Sequence, residues 1–290
     1  MRMHIDEVDI DVPLVRRLVA TQFPEWADLP VEPVASAGTD NAMFRLGADL
    51  AVRMPRIPGA ADNVAVEQKW LPRLAERLPV AVPTPVGAGR PGPGYPWSWS
   101  VCRWLPGHNP TSASARLADD LAAFVTALRD LDASDAPRSG RCVPLADRDD
   151  PTRAAIAASH DLIDTTAATA VWEEALRLPE WPGPPTLAHT DLSPGNVLVE
   201  AGRLTAVIDW SGVGAGDPTV DLVVAWNLLP ASARPAFRQA LAPDEDTWRR
   251  GRGWALSIAL IQLPYYQHTN PTLAENSRHV IAEVLADRSV

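Results

Sequence analysis

Two rhythms of apolar and polar residues run along this chain, and the change from one to the other divides it. Near the start, Leu14, Val15, Leu18 and Val19 fall on one side of a run over 12–23, the period of an amphipathic helix. Residues 34–46 read as strand, turn and strand, Gly47-Ala48-Asp49 as a turn, and 50–54 as a third strand. A helical pattern over 63–78 is stopped by Pro79. The stretch 80–94, rich in Pro and Gly, reads as loop or sheet edge, and 97–105 as a strand closed by Pro106-Gly107. Beyond that point the helical period dominates, over 114–132, 151–165, 168–178, 218–228, 233–240, 246–262 and 271–286. The pattern predicts a strand-rich unit over 1–106 and a mainly helical one over 107–290.

One segment interrupts the helices. Val197-Leu198-Val199 is an apolar run, Glu200-Ala201-Gly202-Arg203 a turn, and Leu204 to Ile208 a returning strand. Asn196 opens the first strand and Asp209 ends the second, so a hairpin sets them side by side. Asp191 lies just upstream, across a Ser193-Pro194-Gly195 turn. An amide oxygen and a carboxylate on adjacent strand ends are hard donors of the kind Mg²⁺ accepts, with substrate phosphates and water completing its shell. An isolated Asp at a turn is ordinarily a cap; it is the register with Asn196 and Asp209 that points to chemistry.

Composition narrows the classes. With 290 residues and 46% hydrophobic content, the chain can bury sizeable cores. No uncharged apolar run is long enough for a membrane span. Early acids in Met1-Arg2-Met3-His4-Ile5-Asp6-Glu7 are unlike a secretory signal. Cys102 and Cys142 are too far apart for a metal or redox motif, so the expected setting is the reducing cytoplasm. A net charge of −10 disfavours nucleic acid as a partner. The excess is uneven: 12 acids against 11 bases over 1–106, and 24 against 15 over 107–290. Such a field can concentrate a cationic substrate, or simply solvate a surface. Other spellings fail in context. Gly87-Ala88-Gly89-Arg90-Pro91-Gly92 has the dinucleotide-loop letters but is followed by prolines rather than a helix. The one lysine, Lys69, follows Gln68, so there is no P-loop. Neither zinc-ligand spacing nor a Gly-x-Ser-x-Gly elbow occurs.

The phrases His189-Thr190-Asp191-Leu192-Ser193-Pro194-Gly195-Asn196, Val207-Ile208-Asp209-Trp210 and Gly216-Asp217-Pro218 with Asp221-Leu222 together resemble the aminoglycoside phosphotransferase family, macrolide phosphotransferases among its members. The likeness runs from about Val34 to the C-terminus. Thr190 stands where that family usually has Gly. The resemblance implies an α+β, protein-kinase-like fold, with an N-terminal antiparallel sheet lobe and a helical C-terminal lobe. It implies Asp191 as the catalytic group that orients the acceptor hydroxyl, and Asn196 and Asp209 as Mg²⁺ ligands. His189 is then a loop support, and Asp217 and Asp221 hold the loop and start the next helix. On the nucleotide side it implies a phosphate loop containing Gly38, Thr39, Asp40 and Asn41, and a third-strand cation, Arg53, paired with Glu67. Arginine replaces the lysine of protein kinases there and grips phosphate through parallel donors. The Arg103 carbonyl and Leu105 amide would meet the base edge, with Cys102 at the back of the pocket. Backbone contacts of this kind leave ATP and GTP equally open as donors.

The expected partners are a nucleoside triphosphate and a small hydroxyl-bearing acceptor, cationic if the acidic field serves it. The expected activity is γ-phosphoryl transfer to an antibiotic. A metabolite kinase of the same fold, for a sugar, choline-like amine or amino alcohol, and a nucleotide-binding protein without catalysis are the rivals. Asp161, Asp164, Asp244, Glu245 and Asp246 could meet an amino sugar, although 243–247 also reads as a helix start. Trp226, Trp248, Trp254, Tyr265 and Tyr266, at helical spacing, read first as core.

Overall fold

The computed structural model describes residues 7–34, 40–111 and 113–287. Two compact units emerge: Met1–Gly107 with Thr205–Ser211, and His108–Leu204 with Gly212–Val290. The change falls next to Pro106-Gly107, but Thr205–Ser211 returns to the first unit. The sequence pattern had kept that stretch with the second.

The first unit contains helix α1 (Val12–Gln22), strands β1 (Val31–Pro33), β2 (Asn41–Leu46) and β3 (Leu50–Pro55), helix α2 (Pro58–Ala75), and strands β4 (Pro85–Gly89) and β5 (Trp99–Arg103). All pair antiparallel in one sheet, ordered β1-β2-β3-β5-β4. Strand alternation sorts the side chains. Leu50, Val52 and Met54 of β3 and Trp99 and Val101 of β5 join Leu14, Val15, Leu18 and Val19 of α1 in one core. Ala51, Arg53, Ser100 and Cys102 therefore take the other face, where α2 packs against β3, β4 and β5. β4, within the stretch expected to be loop or sheet edge, is an edge strand of the sheet. Helix α2 begins five residues before the apolar period suggested, because Pro58 sits in its first turn, where a missing N–H costs nothing. Its buried positions are Ala60, Val64, Glu67, Trp70, Leu71 and Leu74. Glu67 thus occupies the apolar stripe, and the helix carries its carboxylate into the interior.

The second unit is mainly helical. It has α3 (Ala115–Arg129), α4 (Asp149–Ala158), α5 (Thr165–Leu176), β6 (Thr186–Ala188), β7 (Val197–Glu200), the start of β8 (Arg203–Val207), β9 (Gly214–Gly216), α6 (Val224–Asn227), α7 (Arg234–Leu241), α8 (Glu245–Tyr266) and α9 (Pro271–Ala286). The turn after β7 uses Ala201 (φ 48°) and Gly202 (φ 75°), the two positive φ values of a tight hairpin turn. The helix expected over 218–228 is a 3₁₀ segment, Pro218–Val223, followed by one turn of α6. Asp217 caps that segment by accepting from Thr219 N–H. Helix α8 is the centre of the unit, and Trp226, Trp248 and Trp254 are fully buried in its core. At Gly251 a Cβ would lie 2.5 Å from Leu222 Cβ, so the absent side chain lets the 3₁₀ segment seat against α8. Among the described residues, no helix is long and apolar enough to cross a membrane.

Candidate functional site

Three of the expected residues meet in the first unit. Arg53 lies on the α2 face of β3, and its Nη1 donates to Glu67 Oε2. Its Nη2 donates to Asp209 Oδ1 at 2.7 Å. Asp209 reaches this point because Thr205–Val207 is fixed to the segment after α2: Ala81 N–H donates to Thr205 O, and Val207 N–H to Ala81 O. The chain then turns at Asp209 itself, which adopts φ 59°, a left-handed conformation uncommon outside glycine. Trp210, buried, donates its indole N–H back to Val207 O at 2.9 Å, and Ser211 Oγ donates to Asp209 Oδ1 at 2.9 Å. Burial opposes the charge on Arg53, but the Glu67 and Asp209 carboxylates outweigh it and hold the guanidinium above its ordinary pKa. Burial likewise pushes the Glu67 carboxyl up, to about 7, with Arg53 pulling it down and Asp209 adding to the rise. Arg53 stays protonated and touches both acids, which favours the ionised pair. Cys102, on the same face, has its thiol pushed up to about 12, chiefly by burial.

The rest of the expected nucleotide side is distributed along the same sheet. Asn41 opens β2 opposite Pro55, and Asp40 O accepts from Arg56 N–H. Gly38 and Thr39 lie outside the described residues. Arg103 pairs with Leu50, three residues along β3 from Arg53, which is about 10 Å of strand. Leu105 follows two residues later.

Asp191 and Asn196 meet in the second unit. Asn196 Nδ2 donates to Asp191 O at 2.9 Å and to Asp191 Oδ2 at 2.8 Å, across the Ser193-Pro194-Gly195 turn. With the amide nitrogen so engaged, Oδ1 is the atom that Asn196 can offer a cation. An amide oxygen and the Asp209 carboxylate are both hard donors. A carboxylate has lone pairs enough to serve a metal as well as Arg53. Each donor, taken by itself, is of the type Mg²⁺ accepts.

The loop that presents Asp191 is held from below. Strands β6 and β9 pair antiparallel, Ala188 opposite Gly214, so the chain after β6 runs beside the chain before β9. Asp221, fully buried, accepts from His189 N–H at 2.8 Å and Thr190 N–H at 2.7 Å. Burial pushes its carboxyl up, while His189 and those two N–H groups pull it down. His189 Nδ1 accepts from Asp191 N–H at 3.2 Å, the supporting role expected of it. Thr190 takes φ 72°. Its hydroxyl donates to Gly212 O at 2.9 Å, and a Cβ on Gly212 would lie 2.3 Å from that hydroxyl. This explains the departure at residue 190. The position demands a left-handed backbone, which Gly takes freely, and Thr occupies it because Gly212 leaves room for its side chain.

One participant was missed. Arg141 Nη1 donates to Asp191 Oδ1 at 2.5 Å and to Thr190 O at 3.1 Å. It sits in an irregular stretch, Ser139-Gly140-Arg141-Cys142, with no period to mark it. By contrast, two of the acids weighed for the acceptor side cap helices: Asp164 accepts from Ala167 N–H, and Asp244 from Thr247 N–H.

Comparison with known proteins gives three findings. The sequence profile of the phosphotransferase enzyme family matches residues 31–254. No curated protein matches the chain. Many solved structures do. The GDP and kanamycin complex of APH(2")-IIia superposes with a TM-score of 0.74 at 21% identity, covering 94% of this chain and 99% of that one. The apoenzyme of macrolide 2'-phosphotransferase MphH from Brachybacterium faecium gives 0.64 at 26% identity, covering 93% and 97%. Macrolide 2'-phosphotransferase type I gives 0.67 at 16% identity, also covering 93% and 97%. The α+β fold with an antiparallel sheet unit and a helical unit is the kinase-like fold of these enzymes.

Proposed function

This chain belongs to the phosphotransferase enzyme family, and we propose that it is a Mg²⁺-dependent O-kinase acting in the cytoplasm on a hydroxyl of an aminoglycoside-like or other antibiotic. The observation that carries this reading is Arg53, held by Glu67 and touching Asp209 at 2.7 Å. It brings a phosphate-gripping guanidinium and a metal-grade carboxylate to one point. Glu67 fixes the guanidinium from a position that solvent scarcely reaches, so its donors are oriented before nucleotide arrives.

Asp191 is the catalytic residue of the proposal. It orients the acceptor hydroxyl and takes its proton as the new O–P bond forms. The γ-phosphorus parts from its bridging oxygen, and the nucleoside diphosphate leaves with that electron pair. Asn196 and Asp209 would hold Mg²⁺, which when bound would neutralise charge developing on the phosphate oxygens. Asn196 has a second duty, since its N–H bonds to Asp191 fix the angle at which that carboxylate faces the acceptor. Asp221 keeps the loop in place without touching substrate. Phosphate on a drug hydroxyl adds negative charge and bulk, which weakens binding to an anionic target such as ribosomal RNA and so confers resistance.

The test is nucleotide binding with and without Mg²⁺ in the wild type and in Asp209→Ala. The wild type should bind ATP or GTP more tightly with the metal, and the variant should lose that metal dependence. An unchanged Mg²⁺ effect in Asp209→Ala would reject the assignment.

A further inference from the structure

Asn196 has two duties in the proposed reaction, and its own element is a weak anchor for either. It precedes β7, a strand of four residues in a two-stranded sheet, and such a sheet alone is marginally stable in water. The 3₁₀ turn that ends at Asn196, Pro194–Asn196, has no side-chain cap. Support comes from residues 108 and 109. Val199 N–H donates to His108 O at 2.8 Å and His108 N–H to Val199 O at 3.2 Å, so this stretch runs antiparallel beside β7. Pro110 favours an extended backbone at the residue before it, Asn109. From there Asn109 Nδ2 donates to Gly195 O at 3.0 Å and to Val197 O at 3.0 Å. These two carbonyls belong to the residues on either side of Asn196.

Chemistry fixes the direction of this contact. An amide nitrogen carries two N–H donors, one for each carbonyl, whereas the amide oxygen in the same place would face two acceptors. A serine there could serve one carbonyl, and an aspartate neither. Asn196 in turn spends its own Nδ2 on Asp191 O and Asp191 Oδ2. Two side-chain amides therefore stand in series. The first holds the main chain on both sides of Asn196, and the second holds the Asp191 carboxylate. We propose that Asn109 is a positioning residue, setting through Asn196 both the oxygen offered to Mg²⁺ and the angle of Asp191. The proposal rests on the kinase reading for its chemistry. It works through another residue and needs no contact with the acceptor. Such indirect placement matters, because a misplacement of about 1 Å can cost ~10²-fold in rate. Asn109 is exposed, so its two bonds carry little of the fold's stability.

The test compares the wild type with Asn109→Asp, which keeps the shape and removes both donors, and with Asn109→Gln, which keeps the amide on a longer arm. In the first arm, ADP binding is measured by calorimetry over a range of Mg²⁺ concentrations. Asn109→Asp should raise the half-saturating Mg²⁺ about 10-fold, the scale of one to two hydrogen bonds, and leave metal-free ADP affinity within a few-fold. Its kcat with a phosphorylated acceptor should fall about 10-fold as well, acceptor KM staying within a few-fold, while the melting temperature moves by only a few degrees. Asn109→Gln should recover part of both losses. Asn109→Asp with an altered melt but wild-type Mg²⁺ dependence and kcat would make Asn109 purely structural and overturn the proposal. So would an equal loss of ADP affinity with and without metal, which would make Asn109 a nucleotide contact. The second arm needs neither metal nor turnover. The chain has seven asparagines, so isotope labelling of asparagine and the signal lost in Asn196→Ala identify the Asn196 side-chain amide by NMR. Its proton signals should shift in Asn109→Asp and return toward their wild-type positions in Asn109→Gln, and signals that stay in place reject the clamp. Shifted signals in a chain that shows no Mg²⁺ effect and phosphorylates nothing would instead sink the kinase reading, with the clamp on Asn196 still standing.

Discussion

The two groups of site residues are built on opposite principles. In the first unit, Arg53 and Glu67 keep 13% and 5% of their side-chain surface exposed, clamped between a sheet and a helix. In the second, Asp191 and Arg141 keep 36% and 37% exposed on a loop. The buried pair depends on charge compensation, because removing either partner strands the other in a poor solvent. The exposed pair adds little to stability. Its geometry comes from backbone bonds to Asp221 and from the Thr190–Gly212 contact beneath it. The comparison teaches that the guanidinium proposed to meet phosphate is fixed by buried ions, whereas the loop carrying Asp191, the proposed catalytic group, is fixed by the main chain, which leaves that carboxylate in reach of solvent.

Glu67→Ala is the strongest way to break this contrast. It should cost about 3 kcal/mol of stability, the low end for a broken buried pair because Arg53 keeps Asp209, and should weaken nucleotide binding in parallel. A thermal melt that does not move would show the pair to be dispensable. Asp191→Ala should do the reverse. Its rate should fall at least ~10²-fold, about 2.7 kcal/mol of barrier, while its melting profile changes by less than about 1 kcal/mol equivalent. Steady-state kinetics and a melt on the same preparation check both halves. Gly212→Ala comes next, because the added Cβ must push on the Thr190 hydroxyl. Overpacking of this kind costs about 1–3 kcal/mol, and in a Thr190→Gly background most of that penalty should vanish. A double-mutant cycle measured by chemical denaturation gives the coupling. Thr190→Gly alone should have the smallest effect, within about 1 kcal/mol, since relief of the left-handed strain is offset by the lost hydroxyl bond and added chain entropy.

Much of this was legible in the sequence, for identifiable reasons. The pairing of Arg53 with Glu67 was legible only through the family resemblance; the strand period sets Arg53 apart from Val52 and Met54, and α2 carries Glu67 on its buried face. Asp191 and Asn196 were separated by a single turn and needed only its Pro-Gly chemistry. The start of α2 lies ahead of its apolar period because Pro58 occupies the first turn. The 3₁₀ segment after Asp217 leaves no mark in the sequence, because the apolar run Leu222 to Trp226 suits either winding. Arg141 left no signal, since it lies in aperiodic chain and acts through a contact fifty residues away in sequence. The return of Thr205–Ser211 to the first unit rests on backbone bonds to Ala81, which side-chain patterns do not encode. The left-handed turn at Asp209 was equally silent, for an aspartate tolerates it without glycine's mark.

The most direct test of the central claim follows the γ-phosphorus itself. Purified enzyme is incubated with γ-labelled ATP and, separately, γ-labelled GTP, over a library of hydroxyl-bearing antibiotics, hydroxy acids and sugar phosphates, with and without Mg²⁺. The kinase account predicts label on an acceptor oxygen from at least one donor, only with the metal. Nucleotide that binds with Mg²⁺ yet never passes its label to any acceptor would contradict it.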